Sequence, residues 1–182
     1  MTTDAVTICP ATAADAPAIA GIFAYYVLNS VATFEETPPT AADWRRRLDA
    51  LTARGLPFLT AKTGDEVHGF AYAAPWRPKP AYRQTVEDTI YLAPEETGRG
   101  VGRALLAALL RHCRERDVRQ VVAVIADTGD PASAALHRSA GFGHAGRLVS
   151  VGYKHGRWID TVLMQLDLSA RGLPAAGEPR RG

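Results

Sequence analysis

The spacing of apolar positions along this chain switches repeatedly between a two-residue and a three-to-four-residue period, and each switch marks an element boundary. Val6–Cys9 is a short β-rich run closed by Pro10. Ala18, Ile19, Ile22, Phe23, Tyr26 and Val27 then recur at helical spacing and predict a helix from about Asp15 to Leu28. Thr12 stands three residues before Asp15, in the arrangement of a capping box. Phe34, two glutamates and a Pro-Pro pair make Asn29–Pro39 a loop. A second helix starts at Thr40, with Asp43 as its reciprocal cap, Trp44, Leu48 and Leu51 along one side, and Gly55 at its end.

Leu56–Ala61 and Val67–Ala74 read as strands around the turn Lys62–Glu66, and Thr85–Leu92 as a third strand beyond the proline-rich Pro75–Pro80. After the glycines 98, 100 and 102, a helix to about Arg116 carries Val101, Leu105, Leu106, Leu109, Leu110 and Cys113 on one broad face. The nearly continuous apolar run Arg119–Ala126 predicts a strand buried on both faces. Asp130-Pro131 opens a short helix through Ser139, stopped by Gly141. Two strand-like runs in His144–Leu168 flank a hairpin turn at Lys154-His155-Gly156. The order β-α-α-β-β-β-α-β-α-β-β is that of an α/β protein, with a mixed, mostly antiparallel central sheet flanked by helices. Residues 1–169 are predicted to form one domain, and Ala170–Gly182, rich in Pro, Gly and Arg, a disordered tail.

Composition narrows the class of function. At 182 residues the chain fills one core, and 47% hydrophobic with 22% charged residues is ordinary for a soluble protein. Its formal charge of +2 is carried by the tail, so the body is near neutrality and no basic stripe suggests nucleic acid. The two cysteines, Cys9 and Cys113, suit reduced thiols better than a disulfide framework or a zinc site, and the histidines lack metal-ligand spacing. No secretory leader or membrane-length apolar run is visible, so a cytoplasmic enzyme with no metal is the expectation.

The stretch with the most chemistry joins the third central strand to the long helix through Gly98, Gly100 and Gly102. Where a strand turns into a helix, the first helical N–H groups lack partners and the helix dipole adds positive potential, so an anion can be held there. Arg99 and Arg103 add charge of the right sign. A P-loop is excluded, because Gly102 is followed by Arg103-Ala104 and not by Lys-Ser/Thr.

A strand, TGRGVG, an amphipathic helix, VVAVIA and LHRSAGF together resemble the GNAT superfamily of acyl-CoA-dependent N-acetyltransferases. That family's Gln/Arg-x-x-Gly-x-Gly/Ala signature falls on Thr97-Gly98-Arg99-Gly100-Val101-Gly102, with Thr97 a departure at the first position. TFEETPPT, APWRPKPAYRQTVEDTIYL, AVIADTGDPAS and GYKHGRWIDTVLMQLDL are similar to the phosphinothricin N-acetyltransferase branch and its amino-acid-acetylating relatives. The resemblance covers nearly all of Val6–Leu168 in order. It implies acetyl-CoA as donor, a small-molecule amine as acceptor, and a homodimer, with no nucleic-acid or membrane partner.

It also implies roles. The pyrophosphate falls to Gly98, Arg99, Gly100, Val101, Gly102 and Arg103. Ile90, Tyr91 and Leu92 would lie along the pantetheine and help polarise the thioester carbonyl. Asp130 and Ser133 fall in the later cofactor contact, where Asp130 replaces a common Asn and would bring a carboxylate near the pantetheine arm. Strand alternation puts Glu87, Thr89 and Tyr91 on one face and Val86, Asp88, Ile90 and Leu92 on the other. A carboxylate in a half-buried strand has to be solvated, paired or used, and an amine mostly protonated at pH 7 benefits from a base. The resemblance gives that work to Glu87; a surface ion pair and the neighbouring Asp88 are the competing readings. His137 would protonate the departing thiolate, with a buried structural histidine as the equal alternative. For an amino-acid carboxylate, Arg77 and Arg83 are the candidates, with Phe34 and Tyr82 as walls. The alternatives in function are an acetyltransferase for another small amine or a protein N-terminus, and a non-catalytic acyl-CoA-binding module.

Overall fold

In a computed structural model that describes residues 5–169, seven strands form one sheet in the order β1-β2-β3-β4-β5-β7-β6. These are β1 (Thr7–Pro10), β2 (Phe58–Thr63), β3 (Glu66–Pro75), β4 (Thr85–Leu92), β5 (Gln120–Ala126), β6 (Gly143–Lys154) and β7 (Arg157–Asp167). Every neighbouring pair is antiparallel except β4 and β5. The helices are α1 (Ala16–Asn29), α2 (Ala41–Ala53), α3 (Val101–Arg114) and α4 (Ala132–Ser139). The expected element order and the mixed, mostly antiparallel sheet both hold, and the boundaries move by only a few residues. The expected tail at 170–182 lies outside the described residues.

The sheet is the middle layer of three. On one face α3, with Leu105, Leu106 and Leu109, packs on Leu59, Ala71, Val86 and Val121, and Leu136 of α4 joins the same core. On the other face α1 and α2 pack Ile19, Phe23, Trp44 and Leu48 against Phe58, Phe70 and Tyr72. β4 feeds both layers by alternation, with Val86, Ile90 and Leu92 toward α3 and Tyr91 toward α1. Both predicted capping boxes form, Thr12–Asp15 and Thr40–Asp43. Asp15 gains a second role that sequence could not show, an ion pair with Lys62 of β2 at 2.5 Å. Burial opposes its charge, but Lys62 and the Thr12 hydrogen bonds outweigh that and hold its carboxyl below the usual range.

One expectation fails in a useful way. β5 is not buried on both faces along its length: Val121 and Ala123 are enclosed, but Val124 is 39% exposed. The reason is the end of the β4–β5 pairing at Asp88 and Ala123, beyond which Val124 has no β4 residue beside it.

Candidate active site

The parallel pair at the centre of the sheet runs only from Thr85–Gln120 to Asp88–Ala123. β4 continues with β3 as far as Leu92–Gly69, and β5 continues with β7 as far as Ala126–Thr161. The two halves of the sheet therefore separate into a fork, and Thr89–Leu92 have no strand on the β5 side. A strand edge of this kind offers amide and carbonyl groups to any extended molecule that carries its own. Ile90, Tyr91 and Leu92, the expected pantetheine contacts, all lie on it. The Leu92 carbonyl accepts a hydrogen bond from the Tyr26 hydroxyl (2.8 Å), which ties this edge to α1.

The glycine turn sits beyond the end of that edge. Gly98 and Gly100 have φ of +76° and +86°, a region costly for residues with a Cβ, and Gly100 is the N-cap of α3. The amides of Val101, Gly102 and Arg103 are the first helical donors and have no acceptor within the helix. Arg103 is exposed. Arg99 is held at 3.2 Å by Glu96, a buried carboxylate that also faces His68 at 3.4 Å. The anion-holding property of this turn thus rests first on backbone N–H groups. Just before α4, Asp130 Oδ1 accepts the Ala132 N–H (2.9 Å), so one oxygen of that carboxylate is engaged at the start of the helix that Asp130-Pro131 was expected to open. The Ser133 carbonyl accepts from His137 Nδ1 (2.7 Å).

On the α1–α2 side of the sheet lies a cavity of about 530 Å³. Glu87, Thr89 and Tyr91 of β4 form its floor beside Val124 and Ala126 of β5. Ala32–Glu35 from the α1–α2 loop, Arg47 of α2, Tyr72 of β3 and Thr161 of β7 also line it. The face predicted for Glu87 by strand alternation is therefore the cavity face. Burial pushes the Glu87 carboxyl above its usual range; the charge of Asp88 adds to this and that of Arg77 opposes it. Burial likewise raises the Tyr91 phenol, whose hydroxyl donates to the Ala32 carbonyl (3.1 Å), so this tyrosine is a poor acid. Thr161 is 2% exposed, and its hydroxyl has no partner among the described residues. A buried orphan hydroxyl on a cavity wall is a group that a ligand can satisfy.

Asp88, the rival of Glu87, points the other way. Its Oδ2 lies 2.9 Å from His137 Nε2, and both side chains are enclosed between the sheet and α4. Because the Ser133 carbonyl can only accept, His137 Nδ1 carries a proton, and Nε2 faces a carboxylate across one more shared proton. Burial alone would lower the His137 pKa; the hydrogen bond and charge of Asp88, with the Ser133 carbonyl, reverse that and raise it. His137 is 2% exposed and absent from the cavity wall. The structure places the pair at the last rung of β4–β5 pairing, at the base of the fork and across the sheet from the cavity.

Of the four expected acceptor contacts, only Phe34 lines the cavity. Arg77 is exposed and stacks on Trp76 (4.3 Å), and Tyr82 and Arg83 are exposed around a short 3₁₀ turn, Pro80–Tyr82. The Phe34 ring reaches β6 because position 152 is glycine: a Cβ there would lie 2.3 Å from Phe34 Cε2. Lys154, at the β6–β7 hairpin turn, is 4% exposed and donates from Nζ to the Thr33 carbonyl (2.8 Å). It fastens the cavity roof to the β6–β7 hairpin. Lys154→Met would leave that carbonyl without its donor, a loss of about 1–3 kcal/mol. The expected result is a lower melting temperature and a raised acceptor KM. An unchanged acceptor KM in the folded variant would show that the roof needs no such tether.

Sequence reasoning missed Arg47 and Thr161. Arg47 had a visible sign: it stands three residues after Trp44 and four before Leu51, a cation within an apolar stripe. Thr161 had none, since its position depends on the pairing of β7 with β5.

Residues 22–142 match the model of the Acetyltransferase (GNAT) family. The chain belongs to the GNAT acetyltransferase family. It is 47% identical over 156 residues to the phosphinothricin N-acetyltransferase of Alcaligenes faecalis, covering 86% of this chain and 79% of that relative. An L-methionine sulfoximine/L-methionine sulfone acetyltransferase of Pseudomonas paraeruginosa is 39% identical, covering 85% of this chain and 90% of the relative. In structure, a GNAT superfamily phosphinothricin acetyltransferase from Sinorhizobium meliloti in complex with AcCoA superposes with a TM-score of 0.86 at 44% identity, covering 97% and 94% of the two chains. This GNAT chain is an N-acetyltransferase, and the Sinorhizobium meliloti structure it resembles holds AcCoA, the acetyl donor of that neighbour's complex. The fork and the glycine turn fit such a donor: uncovered amides at the start of α3 for its phosphates, and the free edge Thr89–Leu92 for its amide-bearing arm. Among the described residues, no group of three or more His, Cys, Asp or Glu could hold a metal ion. None of the described helices is long and apolar enough to cross a membrane.

Proposed function

We propose that this protein acetylates the α-amino group of small amino-acid-like acceptors, of the kind represented by phosphinothricin, methionine sulfone and methionine sulfoximine. The observation that carries this reading is Glu87, a carboxylate on the floor of a cavity that opens beside the β4–β5 fork. The names of the relatives supply the acceptor class.

Bound acetyl-CoA supplies an electrophilic thioester carbonyl. The amides of Val101, Gly102 and Arg103, with Gly98, Gly100 and the Arg99 side chain, hold its phosphates. Ile90, Tyr91 and Leu92 receive its extended arm through their backbone. Glu87 takes a proton from the acceptor ammonium, directly or through water, and its raised pKa brings it closer to the operating pH, where a base is most effective. His137 shares its Nε2 proton with Asp88 at the base of the fork, and as the donor we assign to the leaving sulfur it would give up that shared proton. Phe34, Thr89 and Tyr91 shape the acceptor side, and Asp130 and Ser133 steady α4 beside the donor arm.

The outer face of β6 and its hairpin exposes Val149, Val151, Tyr153 and Trp158, and a second copy of the chain is the partner we assign to it. Two free cysteines suit a reducing cytoplasm. Acetylation of phosphinothricin in cells would appear as resistance to that herbicide.

The test follows CoA release with a panel of amino acids, their sulfone and phosphinic analogues, and amines without a carboxylate. Turnover confined to the α-amino acids is expected. Reaction only with amines lacking a carboxylate would overturn the acceptor class, and release with no amine would remove the enzymatic reading.

A further inference from the structure

Among the described residues, the cavity that holds Glu87 is lined by one cation, and it is not among the arginines flanking the proline-rich interval. Arg47 projects from α2, half-buried, with its guanidinium over the Trp44 ring (4.7 Å) and near that of Tyr72 (5.8 Å). One of its N–H groups donates to the Tyr72 hydroxyl (3.2 Å). Among the described residues no carboxylate comes within ion-pair distance of it. The other charged residues on the wall, Glu35 and Glu87, are both acidic.

A guanidinium has five donors in a rigid fork, and here the Tyr72 hydroxyl takes one of them while the Trp44 and Tyr72 rings lie beside the group. A cation held this way, partly removed from water and without a counterion, favours an anionic ligand beside it. Its position along the sheet matches an amino acid. Tyr72 pairs with Thr89, two residues along β4 from Glu87, an offset of roughly 7 Å along the strand. The amine and carboxylate of an α-amino acid, roughly 3 Å apart with a hydrogen bond of roughly 3 Å at each end, span a comparable length.

We propose that Arg47 is the specificity-determining residue that binds the α-carboxylate of the acceptor, while Glu87 attends to its amine. This rests on the amino-acid acetyltransferase reading above. Arg77, exposed and stacked on Trp76, then acts on Glu87 only through its charge. The cavity thus presents a cation to the carboxylate end and a carboxylate to the ammonium end of a zwitterion. Amines without a carboxylate would leave Arg47 unpaired, which disfavours them.

The experiment compares wild type, Arg47→Gln and Arg47→Lys with three acceptors: methionine sulfone, its α-carboxamide and phosphinothricin. KM for acetyl-CoA serves as the measure of a correctly folded donor site. Removing the charge should raise KM for methionine sulfone roughly 10- to 100-fold, with little change in kcat. The carboxamide, already a poor substrate of wild type, should be unaffected, and Arg47→Lys should recover part of the loss. An equal rise for sulfone and carboxamide would overturn the proposal and leave Arg47 as packing between Trp44 and Tyr72. A rise for phosphinothricin alone would also overturn it, by assigning Arg47 to the side-chain anion. If wild type takes acid and carboxamide equally well, the amino-acid reading itself fails, whatever Arg47 does. Should Arg47→Gln not fold, Arg47→Lys decides: a KM rise for the sulfone that spares the carboxamide sustains the proposal, and its absence ends it.

Discussion

Glu87→Gln should lower kcat/KM for an amino-acid acceptor at neutral pH by roughly 10²- to 10⁴-fold, the usual contribution of a general base. The substitution keeps the shape of the cavity floor and removes only the ability to take a proton. The pH dependence makes the claim specific. In wild type, activity should rise with pH as Glu87 ionises, and that limb should lie above the usual carboxylate range because burial and the charge of Asp88 raise the carboxyl. The Gln variant lacks this base and draws on whatever acceptor is already neutral, so its rate should climb steadily toward the pKa of the acceptor amine. The gap between the two should therefore be widest on the acid side and narrow as the medium deprotonates the amine. A constant ratio across pH, measured with acetyl-CoA saturating, would falsify the role of Glu87 as base and leave it a polar contact.

Asp88→Ala should cost about 3–5 kcal/mol of stability, the usual result of removing one member of a buried ion pair. His137 would lose the partner that keeps it charged, in a place where water does not reach. The pH window follows from the direction of the shift. In the folded protein the His137 pKa is raised above its unfolded value of about 6.5. The stabilisation it brings is therefore fully present below about pH 6.5 and is lost as pH rises through the folded-state pKa. Urea unfolding of wild type and variant should show the largest difference below that value and a smaller one on the alkaline side of the raised folded-state pKa. If the difference is as large on the alkaline side, the two residues do not share a proton as the hydrogen bonds indicate. Cys113 is a neighbour in this pocket. Its thiol is pushed up to about 12 by burial and the Asp88 charge, so it stays neutral across the range and does not confuse the measurement.

Local sequence was enough for the element order, the two capping boxes, the place of the glycine turn and the grouping of Glu87, Thr89 and Tyr91 on one side of β4. Each depends on neighbours within a few residues: a cap on a spacing of three, a helix face on a period of 3.6, a strand face on a period of two. Glu87 could be assigned to one side of the strand and Asp88 to the other because adjacent residues in a strand have no choice.

Tertiary structure decided everything that depends on which segments meet. The β4–β5 pairing ends at Asp88–Ala123 because the two strands then follow different partners, β3 and β7, and no local pattern encodes that divergence. The same event exposes Val124, which the apolar run had predicted as buried, and opens the edge expected to receive the cofactor. His137 and Asp88 are 49 residues apart, and Lys154 and Thr33 are 121 apart. Their hydrogen bonds arise from packing across layers, where the low local dielectric makes an unpaired polar group costly. Arg77, Tyr82 and Arg83 looked like an acceptor site because they cluster in sequence, but their turn is exposed and lies outside the cavity wall. Arg47 had no role assigned from sequence, and the structure lays its guanidinium over the Trp44 and Tyr72 rings on that wall. A charged side chain becomes a binding group through what surrounds it, and only the packed sheet and helices supply those surroundings.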